Sequence, residues 1–215
     1  MFRKAMLALS VTALLAPVLE HAGGVKDRGI TENVYLYGQN APLPLEGFNV
    51  GVGILGVGYR LNLPIKGSHW GWTGAIEYGK GMNKDENTVK ATGVTTTSEL
   101  DATQLGILVG MNYFADCCDN DDWYCGPGLY YSNTEITTKL TGSPDRKLGG
   151  IKTYGLEAHV GGALPIGPKM RLFGESSSVL GMNSWDQDRS TSPTKDKVSS
   201  WTTFQTWRGG LRIKW

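Results

Sequence analysis

The last nine residues of the chain, WRGGLRIKW at positions 207–215, decide its fold. Counted back from the end, apolar residues or glycine stand at every second position, and basic residues or glycine stand between them. The first series is Trp207, Gly209, Leu211, Ile213 and Trp215. Because successive side chains of a β-strand point to opposite faces of its sheet, this alternation predicts a last strand with one apolar face.

The same two-residue period recurs along most of the chain. In one series, Leu105, Ile107, Val109, Met111 and Tyr113 alternate with residues that are mostly glycine or polar. Such alternation is typical of strands that have one apolar face and one small or polar face. It predicts eight strands, at residues 31–39, 47–63, 69–82, 98–115, 122–139, 149–166, 168–183 and 200–215.

In the strand predicted at 47–63, the alternation of apolar residues changes phase. Its apolar residues stand at even positions up to Ile54 and at odd positions from Leu55 onward. A single extra residue in a strand restores the facing of the side chains that follow it. We therefore predict a one-residue β-bulge between Phe48 and Leu63.

The predicted connections are short at one end of the strands and long at the other. Short turns and long polar loops alternate along the chain, as they do in outer-membrane barrels. A tilted strand crosses the hydrocarbon layer in about 9–11 residues, so each predicted strand is long enough. The short turns are 64–68, 116–121 and 165–167, and the long loops are 83–97, 140–148 and 184–199.

A last strand that ends in an aromatic residue, here Trp215, resembles the assembly signal of bacterial outer-membrane proteins. In its organisation the whole chain resembles the eight-stranded outer-membrane proteins A, X and W. This resemblance implies an all-β fold, an eight-stranded antiparallel up-and-down transmembrane β-barrel. It also implies an outer-membrane location, contact with outer-membrane lipid and lipopolysaccharide, and recognition of the C-terminal strand by the barrel-assembly machinery.

The first residues have the pattern of an export signal. Arg3 and Lys4 precede an uncharged apolar run over residues 5–16, and small residues follow near Gly24. A basic start, a short apolar segment and small residues at the cleavage point are the parts of a signal peptide. We expect a signal peptide over residues 1–24, cleaved near Gly24, and a barrel over 25–215.

Composition excludes several classes of protein. The formal net charge is +1, whereas a nucleic-acid-binding surface needs an excess of basic residues. Aromatic residues make up 10% of the chain, which argues against a disordered polymer. We expect no nucleic-acid partner, no metal and no cofactor.

The polar phase of the strands predicts the content of the barrel interior. Both signs of charge occur in that phase, so the side chains can neutralise one another. An eight-stranded barrel is just wide enough for its own side chains to fill. We therefore predict a non-enzymatic barrel with surface-exposed loops and a plugged lumen. The predicted lumen residues are Arg60, Glu77, Glu157, His159, Arg171, Glu175, Arg208 and Arg212.

Three other functions are compatible with the same pattern. His159, expected nearly opposite Gly174, has Glu175 and Ser177 nearby, and a histidine, serine and carboxylate can form a nucleophilic centre for an enzyme that modifies lipid A. A narrow channel for small solutes would need a continuous wet path between the lumen charges. A soluble binding barrel would have the apolar phase turned inward around a ligand.

Three cysteines flank the predicted turn at 116–121. In an oxidising compartment, Cys125 is expected to pair with Cys118 or Cys117, because neighbouring cysteines pair with each other only under strain. A zinc site needs about four ligands, so three cysteines without a nearby histidine fit it poorly. The sequence favours a disulfide between Cys118 and Cys125.

Overall fold

The computed structural model describes residues 29–45, 48–89, 94–115, 123–140, 145–188 and 195–215. The expected signal peptide lies outside these described residues, as do Cys117 and Cys118. Across the described residues, no helix is long and apolar enough to span a bilayer.

Within these ranges the chain forms eight strands that alternate in direction. Every strand pairs antiparallel with the next one along the chain. β1 also pairs with β8, from Thr31 opposite Lys214 to Gln39 opposite Thr206, and this pairing closes the barrel. The predicted all-β, up-and-down barrel is confirmed. The strands are β1 (Thr31–Leu45), β2 (Phe48–Pro64), β3 (Trp70–Val89), β4 (Val94–Ala115), β5 (Trp123–Leu140), β6 (Arg146–Pro165), β7 (Met170–Asp188) and β8 (Lys195–Lys214).

The outer wall of the barrel is apolar. Leu36, Leu55 and Leu164 are 68%, 74% and 70% exposed, and large apolar side chains face outward on all eight described strands. Such a surface suits the hydrocarbon layer of a membrane, where exposed apolar area carries no cost. It also excludes the arrangement in which the apolar phase lines an inner ligand cavity.

Tryptophans mark the two ends of this wall. Four exposed tryptophans lie at the end of the barrel that carries the short turns. They are Trp70, Trp72, Trp123 and Trp215. Trp201 lies toward the other end and is 78% exposed. The four tryptophans at the short-turn end match one of the aromatic girdles that flank the apolar band of membrane barrels. At the other end Trp185 packs against the interior instead.

The bulge predicted in β2 is wrong. The pairing of β2 with β1 is continuous from Phe48 opposite Leu45 to Asn62 opposite Thr31. Even-numbered residues point inward along the described part of β2, so Val52 and Ile54 are fully buried while Leu55 faces outward. The apolar phase changes because the interior itself becomes apolar toward the outer end of the barrel.

The strands are longer than predicted at the end opposite the short turns. β3 and β4 pair as far as Val89 opposite Val94, so most of the loop predicted at 83–97 belongs to a hairpin. Three consecutive threonines, Thr95, Thr96 and Thr97, are β-branched and favour this extended conformation. The one register shift in the described pairings falls between Ile136 and Thr137 of β5.

Candidate functional site

The barrel interior is the candidate site, and its centre is an ion network. The network consists of charged side chains that five strands turn inward, each at most 5% exposed. Glu175 of β7 lies directly opposite Arg208 of β8, which brings unlike charges together across one strand pair. Its members are Arg60, Glu77, Glu157, Glu175 and Arg208.

Arg208 joins three carboxylates. Its Nε donates to Glu77 Oε1 at 2.5 Å. Its Nη1 lies 2.8 Å from Glu175 Oε1 and 3.0 Å from Glu157 Oε1. The same nitrogen donates to Ser177 Oγ at 2.8 Å. One guanidinium therefore ties β3, β6, β7 and β8 together through hydrogen bonds between charged groups, which are stronger than neutral ones.

Arg60 reaches across the lumen from β2. Its two terminal nitrogens donate to the two oxygens of Glu175, and the Nη2–Oε1 distance is 2.9 Å. A fork of two parallel hydrogen bonds fixes both side chains in one orientation. Glu175 therefore links both arginines, and the network spans the full width of the barrel.

Tyrosines complete the network, and the sequence analysis missed them. Tyr124 OH donates to Glu175 Oε2 at 2.9 Å, and Tyr35 OH donates to Glu77 Oε1 at 3.0 Å. Tyr35 packs against Gly58, where an added Cβ would lie 2.4 Å from the tyrosine ring. An inward tyrosine opposite an inward glycine on a neighbouring strand is the sequence signal that identifies such pairs.

A polar cluster lies inside the barrel toward the short-turn end. Asn62 Oδ1 accepts hydrogen bonds from Thr73 Oγ1 and Asn112 Nδ2, both at 2.9 Å. Arg212 Nε donates to Asn33 Oδ1 at 3.1 Å. The guanidinium of Arg212 lies 4.6 Å from the centre of the Tyr124 ring, within the range of a cation–π contact.

Toward the opposite end the interior contains a cluster of apolar side chains, which we name the apolar layer. It is lined by buried side chains from five strands. Leu100 and Trp185 are partly buried and pack against it. Buried polar side chains lie among these residues, with Gln39 opposite Ile54 and Thr134 opposite Ile151. The buried apolar residues of this layer include Tyr37, Val52, Ile54, Ala102, Ile136 and Ile151.

Seven of the eight predicted lumen residues are buried in the interior, and Arg171 is partly exposed near the short-turn end.

The C-terminal series from Trp207 to Trp215 faces outward, with Trp207 61% exposed. Cys125 is partly buried in β5, and its expected partner Cys118 lies outside the described residues. Among the described residues, no group of histidine, cysteine and carboxylate side chains is arranged to hold a metal ion.

Each of the alternative catalytic residues contacts partners outside the predicted set of three. His159 lies opposite Ser177, and not opposite Gly174 as the sequence analysis expected. His159 Nε2 contacts Asn112 Oδ1 at 2.6 Å, and Ser177 Oγ accepts its hydrogen bond from Arg208. Glu175 is bound by Arg60, Arg208 and Tyr124. His159 Nδ1 also lies 3.7 Å from Glu157 Oε1, a carboxylate outside that set.

Solved structures share this fold. The outer membrane protein OprG from Pseudomonas aeruginosa is similar with a TM-score of 0.54 at 10% identity, covering 89% of this chain and 98% of that one. Ail, the attachment invasion locus protein of Yersinia pestis, was solved with the heparin analogue sucrose octasulfate. It gives a TM-score of 0.47 at 11% identity, covering 88% of this chain and 100% of that one.

A major outer membrane protein from Thermus thermophilus gives a TM-score of 0.45 at 11% identity, over 86% of this chain and 99% of that one. No protein-family model matches the chain, and no curated protein is similar to it in sequence. At such low identity the likeness extends to the fold alone. That fold is the one the resemblance to outer-membrane barrels implied.

Proposed function

We propose that the chain is a non-enzymatic integral protein of the bacterial outer membrane that acts at the cell surface through its outer connections. The observation that carries this proposal is the contrast between the two faces of the barrel wall. Large apolar side chains face outward, and a buried ion network fills the centre of the lumen. A barrel built in this way is anchored in lipid, and solutes have no free passage through its lumen.

The filled lumen argues against the two alternatives. A channel needs a continuous wet path, yet Arg60 and Glu175 bridge the lumen and an apolar layer around Ile54 stands above them. A lipid-modifying enzyme needs its nucleophile within reach of a lipid, yet Ser177 is 2% exposed and faces the interior. These observations support a function carried by residues outside the lumen.

Conductance in planar bilayers tests the closed lumen. We expect no stepwise current from the folded wild-type chain, because both the ion network and the apolar layer block the path. Discrete single-channel steps from the wild-type protein would contradict a plugged barrel and favour the small-solute channel.

A further inference from the structure

Three neighbouring strands each place an unpaired hydrogen-bond donor at one level of the barrel interior. Asn33 of β1 lies directly opposite Arg60 of β2 on one side and Arg212 of β8 on the other. We name these three residues the donor row. Among the described residues, Asn33 Nδ2, Arg60 Nε and Arg212 Nη2 are buried and have no acceptor. Because an unpaired buried donor lowers stability, three of them in one row indicate a common partner.

The donor row carries positive charge that its own residues do not neutralise. Its three side chains are at most 4% exposed, and two of them are guanidinium groups. Glu175 accepts the hydrogen bonds of the terminal nitrogens of Arg60. Arg212 instead contacts Asn33 and the face of the Tyr124 ring, and no carboxylate in the described part of the chain forms an ion pair with it.

Other contacts hold the donor row in place. Arg212 Nε donates to Asn33 Oδ1 at 3.1 Å, which orients the amide and leaves its Nδ2 unused. The fork between Arg60 and Glu175 fixes the Arg60 guanidinium and leaves its Nε unused. A site whose side chains are already fixed loses little conformational freedom when it binds a ligand.

We infer that the donor row binds one small monovalent anion, of about the size of chloride, inside the barrel. Each of the three unpaired atoms can only donate, and an anion only accepts. A water molecule would accept from these atoms, but its own hydrogens would find no acceptor among them. Adjacent strands lie about 4.8 Å apart, so donors from three of them suit a small ion and not a large one.

The donor row lies close to the short-turn end of the lumen. Asn33 and Arg212 each stand two residues from the pair Thr31–Lys214, where the pairing of β1 with β8 begins. Two residues of a strand span about 7 Å. Arg171, opposite Arg212 on β7, is partly exposed and adds positive charge at this end. An anion therefore reaches the row from the short-turn end without crossing the plugged part of the lumen.

Anomalous diffraction from crystals of the folded chain grown in sodium bromide tests the inference directly. Bromide has the charge and nearly the size of chloride, and its anomalous scattering distinguishes it from water. We expect one bromide peak within hydrogen-bonding distance of Asn33 Nδ2, Arg60 Nε and Arg212 Nη2. A water molecule at that position, or a row without a bromide peak, would overturn the inference.

Thermal unfolding in neutral detergent tests the same site in solution. Chloride replaces gluconate, which is too large for the row, while the ionic strength stays constant. A ligand that binds only the folded state stabilises it by mass action, so the unfolding midpoint should rise with the chloride concentration. A wild-type midpoint that is the same at every chloride concentration would contradict a chloride-sized ligand.

The variant Asn33→Asp separates the site from the fold. The new carboxylate has the shape of the amide and keeps an oxygen for Arg212 Nε, but a negative charge replaces the free donor. We expect a folded barrel, shown by its heat-dependent mobility in electrophoresis, that binds no bromide in the row. Its unfolding midpoint should no longer depend on chloride. A chloride response equal to that of the wild type would overturn the inference.

Lys169→Gln is the matched control, because it lowers the net charge by the same amount as Asn33→Asp. Lys169 is exposed in the turn before β7 and lies outside the donor row. We expect this variant to respond to chloride as the wild type does. Loss of the response in Lys169→Gln would show a general effect of charge and would contradict a specific site. If Asn33→Asp does not fold, the bromide peak in wild-type crystals decides.

Discussion

Arg208 is the residue on which the interior network depends. It contacts Glu77, Glu157 and Glu175, and its side chain is fully buried. Arg60 neutralises only part of that negative charge, because its hydrogen bonds go to Glu175 alone among the three carboxylates. Without Arg208, at least Glu77 and Glu157 would lose their basic partner inside the barrel.

We therefore predict that Arg208→Leu destabilises the protein strongly. Removing one partner of a buried ion pair costs about 3–5 kcal/mol, because the remaining charge is left without compensation. Urea titration in lipid vesicles, followed by tryptophan fluorescence, measures the free energy of unfolding. Lys66→Met, in the exposed turn after β2, is the control and should leave that free energy unchanged. An equal midpoint for both variants would contradict the role given to Arg208.

At the scale of one element, β2 shows how an apolar pattern can mislead. Its sequence contains two apolar series of opposite phase, and both are real faces of one regular strand. Val52 and Ile54 face the interior apolar layer, whereas Leu55, Val57 and Tyr59 face outward. Periodicity alone cannot distinguish a bulge from an interior that changes from polar to apolar along its length.

Spin labels at residues 54 and 55 test the phase of β2. A label at Leu55 is expected to be mobile and to collide freely with oxygen dissolved in the lipid, because this position is 74% exposed on the outer wall. A label at Ile54, which is 0% exposed, should be immobile and protected from oxygen. Electron paramagnetic resonance in vesicles measures both properties. Two labels that are both mobile and both accessible to oxygen would restore the bulge that the sequence predicted.

The strand pattern, and hence the fold, could be predicted from the sequence because side-chain alternation survives in every strand. The contacts between side chains within the lumen could not be predicted from it. Alternation shows that Arg60 and Glu175 face inward, but these residues are 115 positions apart and their contact depends on the closed barrel. The extension of β3 to Val89 was also missed, because polar residues beyond the membrane belt no longer alternate with apolar ones. The role of Trp215 in assembly remains a prediction.

For the whole molecule, the account depends on a closed barrel with lipid around it. β1 pairs with β8 and closes the barrel, so neither strand has an unpaired edge over the residues that pair. A closed sheet of this kind is the condition for crossing a membrane as strands. The interior holds the ion network, and the outer wall presents large apolar side chains. The outer wall therefore accounts for anchoring in lipid.

Membrane fractionation, followed by electrophoresis of boiled and unboiled samples, tests this central claim most directly. We predict recovery in the outer-membrane fraction and a faster-migrating band in the unboiled sample, because a closed barrel resists detergent until it is heated. Recovery in the soluble fraction, with the same mobility before and after boiling, would contradict the account. The apolar outer wall would then have to be covered by something other than lipid.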